Sequence, residues 1–600
     1  MEKGVYRFRE LVTQRVCFQV PRYQRYYSWD EKQWEDLWND LYYLEPDKVH
    51  YFGTVILKDK GTQEKIPGLW FEEFEIVDGQ QRIATIFILL REIITQLEEI
   101  GGVPEETINM LKEDYLRFKS VYKLELLGDD REFFKRYIID GEEYLGEPQT
   151  PSQKRLMKAK RFFREKFEEV KACLPERFRD FLLQLIRKIE TMEIMVYPIK
   201  ETAEAARIFE LVNDRGKILT NLEKTKSYLM YMIYLTAPPE EQERYLEVLN
   251  DRFGKIFREV MEIQNSKYGR SVGEDDIQRY HFIIYATKDV LSSYSSRDVA
   301  SHEYMRVLRD YIMQKYRTNK GECLSIVLDY AKDLENAFLV LREILTYDKD
   351  DELRDLLERI LLLGRTANFY PLLIACWIRF KEDNEKIKEI LRLIENMSFR
   401  VYAIGRRRAD TGRNRLYDLA HEVHRGLMDY GELLDELKSL IRKYEWDDLF
   451  ERHLRGDDFY IRVSGNDIKY LLYEYESYLR KLEGERLEFT LSEILSRDSW
   501  GKPNYEVDHI WPRDPSMLGL NEEELKEHEK YVNRLGNLTL VAKGWNRSMG
   551  NKPFSEKRKK YRESLLRVQK ELALYDEWGK EQIEERENKL VRFALERWKI

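Results

Sequence analysis

Strand-like sequence is confined to the two ends of this 600-residue chain, and that confinement limits its fold more than any other feature. Across residues 238–453 apolar side chains recur at three- and four-residue spacing, with few glycines or prolines inside the runs. This pattern predicts amphipathic helices alone, with soft breaks at Tyr268-Gly269, Lys320-Gly321 and Asp348-Lys349-Asp350-Asp351. Single cores stop growing at roughly 250–300 residues, so two or three domains are expected. The predicted division is 1–237, 238–455 and 456–600, the last boundary lying in the Asp457-Asp458 segment. The fold class is α+β and predominantly helical.

Hydrophobic residues at 43% supply material for cores, and charged residues at 36% give a strongly ionic surface. No run of about 18 apolar residues occurs, and Met1-Glu2-Lys3-Gly4 does not begin a signal peptide, so a cytoplasmic location without membrane contact is expected. Cys17, Cys173, Cys323 and Cys376 lie far apart, which excludes a disulfide framework and a zinc ribbon. Any metal must therefore be held by His, Asp or Asn. His421-Glu422-Val423-His424 has three-residue spacing and does not match the i, i+4 zinc pattern.

The net charge of -9 argues against a surface uniformly suited to nucleic acid, but charge is distributed unevenly. Residues 543–570 hold ten Lys/Arg against Glu556 and Glu563, and residues 400–415 hold six Arg against Asp410. Such clusters suit either phosphate contact or a solvated helix face.

Near the N-terminus, Ser28-Trp29-Asp30-Glu31 has capping-box spacing, and Trp34, Leu37, Trp38 and Leu41 then share one helical face. Residues 51–57 and 75–77 read as strands separated by turn chemistry at Lys60-Gly61 and Pro67-Gly68. The second strand runs into Asp78-Gly79-Gln80-Gln81-Arg82, ahead of an apolar helix over residues 83–94. Thr220-Asn221-Leu222-Glu223 is a second capping box, following the turn Asn213-Asp214-Arg215-Gly216. A glycine at a strand-to-helix turn lets a phosphate approach the free N–H groups of the helix start. Arg82, with Arg22 or Arg25, could grip phosphate oxygens bidentately, and Asp78 could hold Mg²⁺ or orient water. By itself this polar turn fits a structural role better than a ligand-binding one.

At the other end, Tyr505-Glu506-Val507 predicts a strand that delivers Asp508-His509, residues 538–541 predict a second strand, and a following helix would carry Asn546. This is the order of a ββα-metal hairpin. Asp508 and the Asn546 amide oxygen suit a hard cation such as Mg²⁺ or Mn²⁺, and His509, on the opposite strand face, suits a general base for attack on phosphorus.

Val507-Asp508-His509-Ile510, Leu535-Gly536-Asn537-Leu538-Thr539-Leu540, Asn546, Asn551 and Phe554 up to Lys557 together resemble the C-terminal nuclease domain of the GmrSD family of modification-dependent (type IV) restriction enzymes. The resemblance implies an HNH nuclease in which Asp508 and Asn546 bind metal, His509 is the general base and Asn537 holds the His-bearing loop. It offers Asn551 for loop support and Lys557 for phosphate contact, and the basic stretch following the hairpin adds Lys543, Arg547 and Lys552 as candidates for contact with DNA. Tyr23-Gln24-Arg25, Trp29, Gln33, Phe52-Gly53, Asp78-Gly79-Gln80-Gln81-Arg82, Phe209-Glu210, Asn213, Arg215 and Gly216 resemble the family's other half, a ParB-like nucleotide-hydrolysing domain. The nucleotide-binding residues so implied are Arg22, Gln24, Arg25, Asp78, Gly79, Gln80, Gln81 and Arg82. Ile83-Ala84 stands where the family more often has Leu-Thr, a packing difference.

The expected function is NTP-dependent, divalent-metal-dependent cleavage of modified foreign double-stranded DNA; the resemblance leaves room for a homodimer. The alternatives are a nucleotide-regulated DNA-binding defence protein that does not cut, a phosphorothioate-sensing nicking enzyme like the family's SspE relatives, and an RNA-directed nuclease.

Overall fold

The computed structural model describes residues 2–21, 24–45, 48–146, 148–200, 220–545 and 549–600. It is predominantly helical with a small mixed sheet, as the confinement of strand sequence predicts. Its contacts divide the chain into two units, one comprising Met1–Phe282, Thr287–Ser292 and His302–Thr346, the other Ile283–Ala286, Ser293–Ser301 and Tyr347–Ile600. Among the described residues no helix is long and apolar enough to cross a membrane.

The first unit holds a six-stranded sheet built from β1 (Gly4–Arg7), β2 (Val16–Gln19), β3 (Tyr51–Ile66), β4 (Leu69–Asp78), β7 (Leu124–Glu125) and β8 (Glu193–Ile199), in the order β1-β8-β3-β4-β2-β7. A separate two-stranded ladder joins β5 (Arg117–Phe118) to β6 (Val121–Tyr122). β3 and β4 pair antiparallel, whereas β3–β8 and β2–β4 pair parallel. The strands outrun their predicted lengths because Lys60-Gly61 is not a turn. Gly61 adopts φ 82° at a register shift between Asp59 and Thr62, a bulge that lets β3 continue to the tight turn at Gly68, φ 78°.

The helix Gln80–Ile100 leaves the end of β4 and is buried along most of its length by Ile83, Ile86, Phe87, Leu90, Ile93 and Leu97. It packs on the helices Pro151–Cys173 and Phe178–Thr191, so its start is fixed by tertiary packing as well as by its own turn. Each of these fully buried aliphatic or aromatic side chains contributes about 1.5–3 kcal/mol of transfer free energy. The helix Glu31–Tyr42 buries Trp34, Leu37, Trp38 and Leu41 as predicted, but Asp30 is its N-cap, not Ser28. Asp30 N donates to Gln33 Oε1 at 3.0 Å, while Ser28 N is taken by Gln81 Oε1 at 2.8 Å. Thr220 and Glu223 do form their capping box at the start of the helix Asn221–Thr236.

In the second unit the antiparallel hairpin of β9 (Tyr505–His509) and β10 (Leu538–Ala542) is surrounded by helices. Its two faces enter different cores. Leu538 and Leu540 join the core of Phe399, Tyr470 and Trp598, while Val541 joins Ile510, Phe554 and Tyr561. Alternation along a strand therefore separates neighbouring side chains into two environments.

Candidate active site

Antiparallel register places Thr539 directly opposite Asp508, and Leu538 opposite His509. Asp508 and Thr539 thus share the face covered by the helix Phe554–Glu563, which carries Lys557 and Tyr561. Lys557 is 1% exposed, and its ammonium donates to Asp508 Oδ2 at 2.9 Å and to the His509 carbonyl at 2.6 Å. This residue, expected to reach a phosphate, therefore lies on the floor of the site and not on its surface. Burial raises the Asp508 carboxyl above its ordinary range, and the Lys557 charge opposes that rise.

His509 is buried too, and its ring meets the Tyr460 ring edge-on at 4.4 Å between centroids. Its Nε2 is enclosed without a hydrogen-bond partner. Burial, then the charge of Arg513, lowers its pKa to about 4, against a hydrogen bond that the imidazole donates to the Asn533 side chain. The imidazole is therefore neutral near pH 7 and able to accept a proton. Thr539 Oγ1 and Tyr561 Oη are likewise buried without a partner, which concentrates unsatisfied polar atoms around the end of β9.

Asn537 is fully enclosed and has all its amide capacity engaged. Its Nδ2 donates to Trp511 O at 3.0 Å and Val532 O at 2.8 Å, while its Oδ1 accepts from Trp511 N at 2.7 Å and Trp578 Nε1 at 3.0 Å. The residues just after His509 are tied to the start of β10 by this one side chain. Asn551 Nδ2 reaches Asp514 Oδ2 at 3.4 Å. Asn546 and Arg547 lie outside the described residues.

At least five of the ten cations in the basic stretch 543–570 are paired with carboxylates of the protein itself. Lys543 pairs with Asp498, Lys552 with Glu556, Lys557 with Asp508, Arg558 with Asp576 and Arg567 with Glu483. Lys559, Arg562 and Lys570 are exposed. In the other basic cluster Arg400 is buried on the carbonyls of Trp598 and Glu445 and pairs with Asp447, a structural role.

In the first unit the β4-to-helix turn brings most of the N-terminal motif together. Gly79 caps the helix with φ 95°, and a Cβ there would lie 2.9 Å from Val55 Cγ2. Gln80 Nε2 donates to Arg25 O at 2.9 Å, Gln81 Nε2 to Tyr26 O at 3.2 Å, and Gln24 Nε2 to Val77 O at 2.5 Å. Arg82 Nη2 donates to Thr54 O at 2.7 Å and lies 3.4 Å from Asp78 Oδ2, while Nη1 donates to Phe52 O at 3.4 Å. Gly53, φ 103°, is required beside it, since a Cβ there would fall 2.2 Å from Arg82 Nη1. Arg25 lies within 3.7 Å of Glu223 and 3.5 Å of Glu274. Burial raises the carboxyls of Asp78 and Glu274 and lowers the Lys226 ammonium to about 7. Arg22, Phe209, Glu210, Asn213, Arg215 and Gly216 lie outside the described residues.

Sequence reasoning missed Tyr460, Asn533, Thr539 and Glu274. Thr539 alone carried a usable signal, because pairing the two predicted strands sets it against Asp508. The others come from segments remote in sequence or from a loop without regular pattern.

Among the described residues no group of three or more His, Cys, Asp and Glu side chains could hold a metal ion. One carboxylate, Asp508, and oxygen-bearing neighbours match instead a hard cation that keeps water and phosphate in most of its coordination positions.

No curated protein matches the chain. The pattern of the GmrSD restriction endonuclease N-terminal domain matches residues 8–230, and that of the GmrSD restriction endonuclease C-terminal domain matches residues 444–593. The first spans the Asp78–Arg82 turn and the second spans Asp508, His509 and Asn537. With both domains in a single polypeptide, this chain belongs to the GmrSD family of type IV restriction endonucleases.

Proposed function

We propose that this restriction nuclease is an HNH enzyme that cuts modified foreign DNA with one divalent metal, under the control of a nucleotide bound by its first unit. The observation that supports the cutting site best is the pairing, at the end of β9, of a carboxylate braced by Lys557 with a buried, neutral imidazole.

Asp508 would hold the cation together with Asn546, and a bound Mg²⁺ or Mn²⁺ supplies charge neutralisation for the pentavalent phosphorus and the leaving oxygen. His509 accepts the proton of the attacking water, for which its low pKa leaves it unprotonated at neutral pH. Asn537 fixes the chain after His509, so the base and the carboxylate keep their relative placement. Lys557 engages Asp508 Oδ2, which keeps the carboxylate in one orientation and offsets the cost of burying its charge. Tyr460 packs edge-on against the imidazole and helps to fix the ring.

In the first unit, the free N–H groups at the start of the helix Gln80–Ile100 would meet the phosphates of an NTP, with Arg25 and Arg82 as the candidate cations beside them. Asp78, its carboxyl raised by burial, would orient the attacking water or a Mg²⁺ ion. Hydrolysis would gate cleavage.

The test is a cleavage panel of unmodified, methylated, glucosylated hydroxymethylated and phosphorothioate DNA with Mg²⁺ or Mn²⁺, with and without each NTP. Metal-dependent cutting of one modified class, altered by one NTP, is the expected result. Absence of cutting on every substrate would replace this reading with a nucleotide-regulated DNA-binding protein.

A further inference from the structure

Immediately before β9 the chain makes a tight, highly cross-linked turn whose tip is a tryptophan in water. Trp500 is 85% exposed, the most exposed tryptophan among the described residues. Indole is the side chain with most to gain from burial, so a chain that orders one in solvent forgoes a large transfer term unless something covers it.

The turn is not loosely held. Asp498 Oδ1 accepts from Trp500 N at 2.9 Å and from Lys502 N at 2.8 Å, and its other oxygen takes the Lys543 ammonium from the end of β10. Asp498 N donates to Lys502 O at 2.8 Å, Gly501 N donates to Asp498 O at 2.9 Å, and Gly501 provides the left-handed φ of 73°. Arg497 Nη1 closes the turn on Gly501 O at 2.8 Å, and Arg497 bridges to Pro503. Asn504 accepts from Lys543 N at 2.8 Å, joining the turn to the hairpin that carries Asp508. These bonds fix the backbone of the tip, so little backbone freedom remains to be lost on contact.

The surrounding charge selects the partner. Lys543 is neutralised by Asp498, but Arg497 and Lys502, on either side of the indole, pair with no carboxylate among the described residues. An exposed aromatic face flanked by cations matches a nucleobase flanked by phosphates. The turn is also covalently continuous with β9. Eight residues separate Trp500 from Asp508, which limits their separation to roughly 27 Å at ~3.4 Å per residue. Along a DNA strand that is about 8 base steps at ~3.4 Å each.

We propose that the Arg497–Pro503 turn is a DNA-contact element in which Trp500 stacks on a substrate base displaced from the duplex within about 8 base pairs of the cut, while Arg497 and Lys502 meet the adjoining phosphates. This rests on the reading of β9 as part of a DNA-cutting site. It adds a binding residue outside the metal hairpin and outside the basic stretch that follows it.

The experiment measures binding of the full chain to a fluorescently labelled duplex of a cleavable sequence in EDTA, for wild type, Trp500→Ala, Trp500→Phe and Lys502→Gln. Trp500→Ala is expected to weaken binding about 5- to 100-fold, the effect of removing one base-stacking aromatic. Trp500→Phe should recover most of the affinity, and Lys502→Gln should lower the slope of affinity against salt by about one counterion. Because the indole is exposed, thermal stability should not change, which separates loss of contact from loss of fold. Wild-type affinity in Trp500→Ala, alongside normal cutting by the wild type, overturns this proposal and leaves the cleavage reading intact. A lower molecular mass in that variant by light scattering, with DNA affinity unchanged, also overturns it and assigns the turn to a subunit contact. Failure of the wild type to bind any duplex overturns both.

Discussion

The two motif clusters use their polar side chains in opposite ways. In the first unit Gln24, Gln80, Gln81 and Arg82 are committed to backbone groups of residues 25–28, 52–54 and 77. They lace the segment before Trp29 and the strand β3 to the start of one helix, and only Gln80 Oε1 among these amides is enclosed without a partner. In the second unit Thr539 and Tyr561 lie on the Asp508 side of the hairpin and His509 on the other side, and His509 Nε2, Thr539 Oγ1 and Tyr561 Oη are enclosed with none. An enclosed polar atom without a partner carries a desolvation cost, and those three atoms mark the hairpin as a place where a ligand could bind, as the two oxygens of Glu274 do beside Arg25 in the first unit. A motif can thus be dense with polar residues because it builds a scaffold, as Gln24, Gln80, Gln81 and Arg82 do, or because it reacts.

That contrast is broken most severely by Asp508→Ala. Removing the carboxylate should lower the cleavage rate by at least about 10²–10³-fold, the scale of losing one electrostatic stabiliser, in protein that stays folded by circular dichroism although it loses the stability of the Lys557 ion pair. A loss under tenfold would place Asp508 with the scaffold residues.

Lys557→Met is next. It leaves a largely enclosed carboxylate without its ion-pair partner, for which about 3–5 kcal/mol of destabilisation is expected in urea titration. The double variant Asp508→Asn, Lys557→Met should recover much of that stability while remaining inactive. If Lys557 instead touched DNA, the single variant would keep its stability and lower the salt slope of binding.

Gly53→Ala tests the scaffold side. The new Cβ needs a left-handed backbone and collides with Arg82, so about 1–3 kcal/mol should be lost from the first unit. Nucleotide affinity and stability should then fall together along the Gly53 and Arg82 series. Nucleotide binding lost from Arg82→Ala at full stability would show that the guanidinium acts on the ligand and not on β3.

Much of this arrangement was legible in the sequence, and the boundary of legibility has a physical cause. The Thr220 capping box, the Trp34–Leu41 face and both strands of the hairpin are local patterns, and all appear where predicted. Ser28 failed as a cap because a residue 53 positions later, Gln81, claims its N–H. Gly61 failed as a turn because pairing across β3 and β4 tolerates a bulge there. Lys557 sits in a run of Lys and Arg that reads as surface, yet its position on the helix points it under β9. Tyr460 packs on His509 from 49 residues away, and no sequence pattern announces such a contact.

A further expected effect concerns pH. His421 donates Nδ1–H to Ile284 O at 2.8 Å, and burial, then Arg297, with Arg425 and His424, lowers its pKa from 6.5 to about 4. A folded pKa below the unfolded one means that the unfolded chain binds more protons, so this contribution is complete above pH 6.5 and is lost as pH falls towards 4. Urea midpoints should decline across that window, and His421→Gln should flatten the decline. An equally steep decline in the variant would assign the acid sensitivity to other groups.

The most direct test of the central claim is the initial rate of Mg²⁺- or Mn²⁺-dependent cleavage of phage DNA by wild type and His509→Ala at matched stability. The account predicts that wild type cuts and that His509→Ala falls by about 10²–10⁴-fold, the contribution of a positioned general base. Equal rates in the two proteins would contradict it.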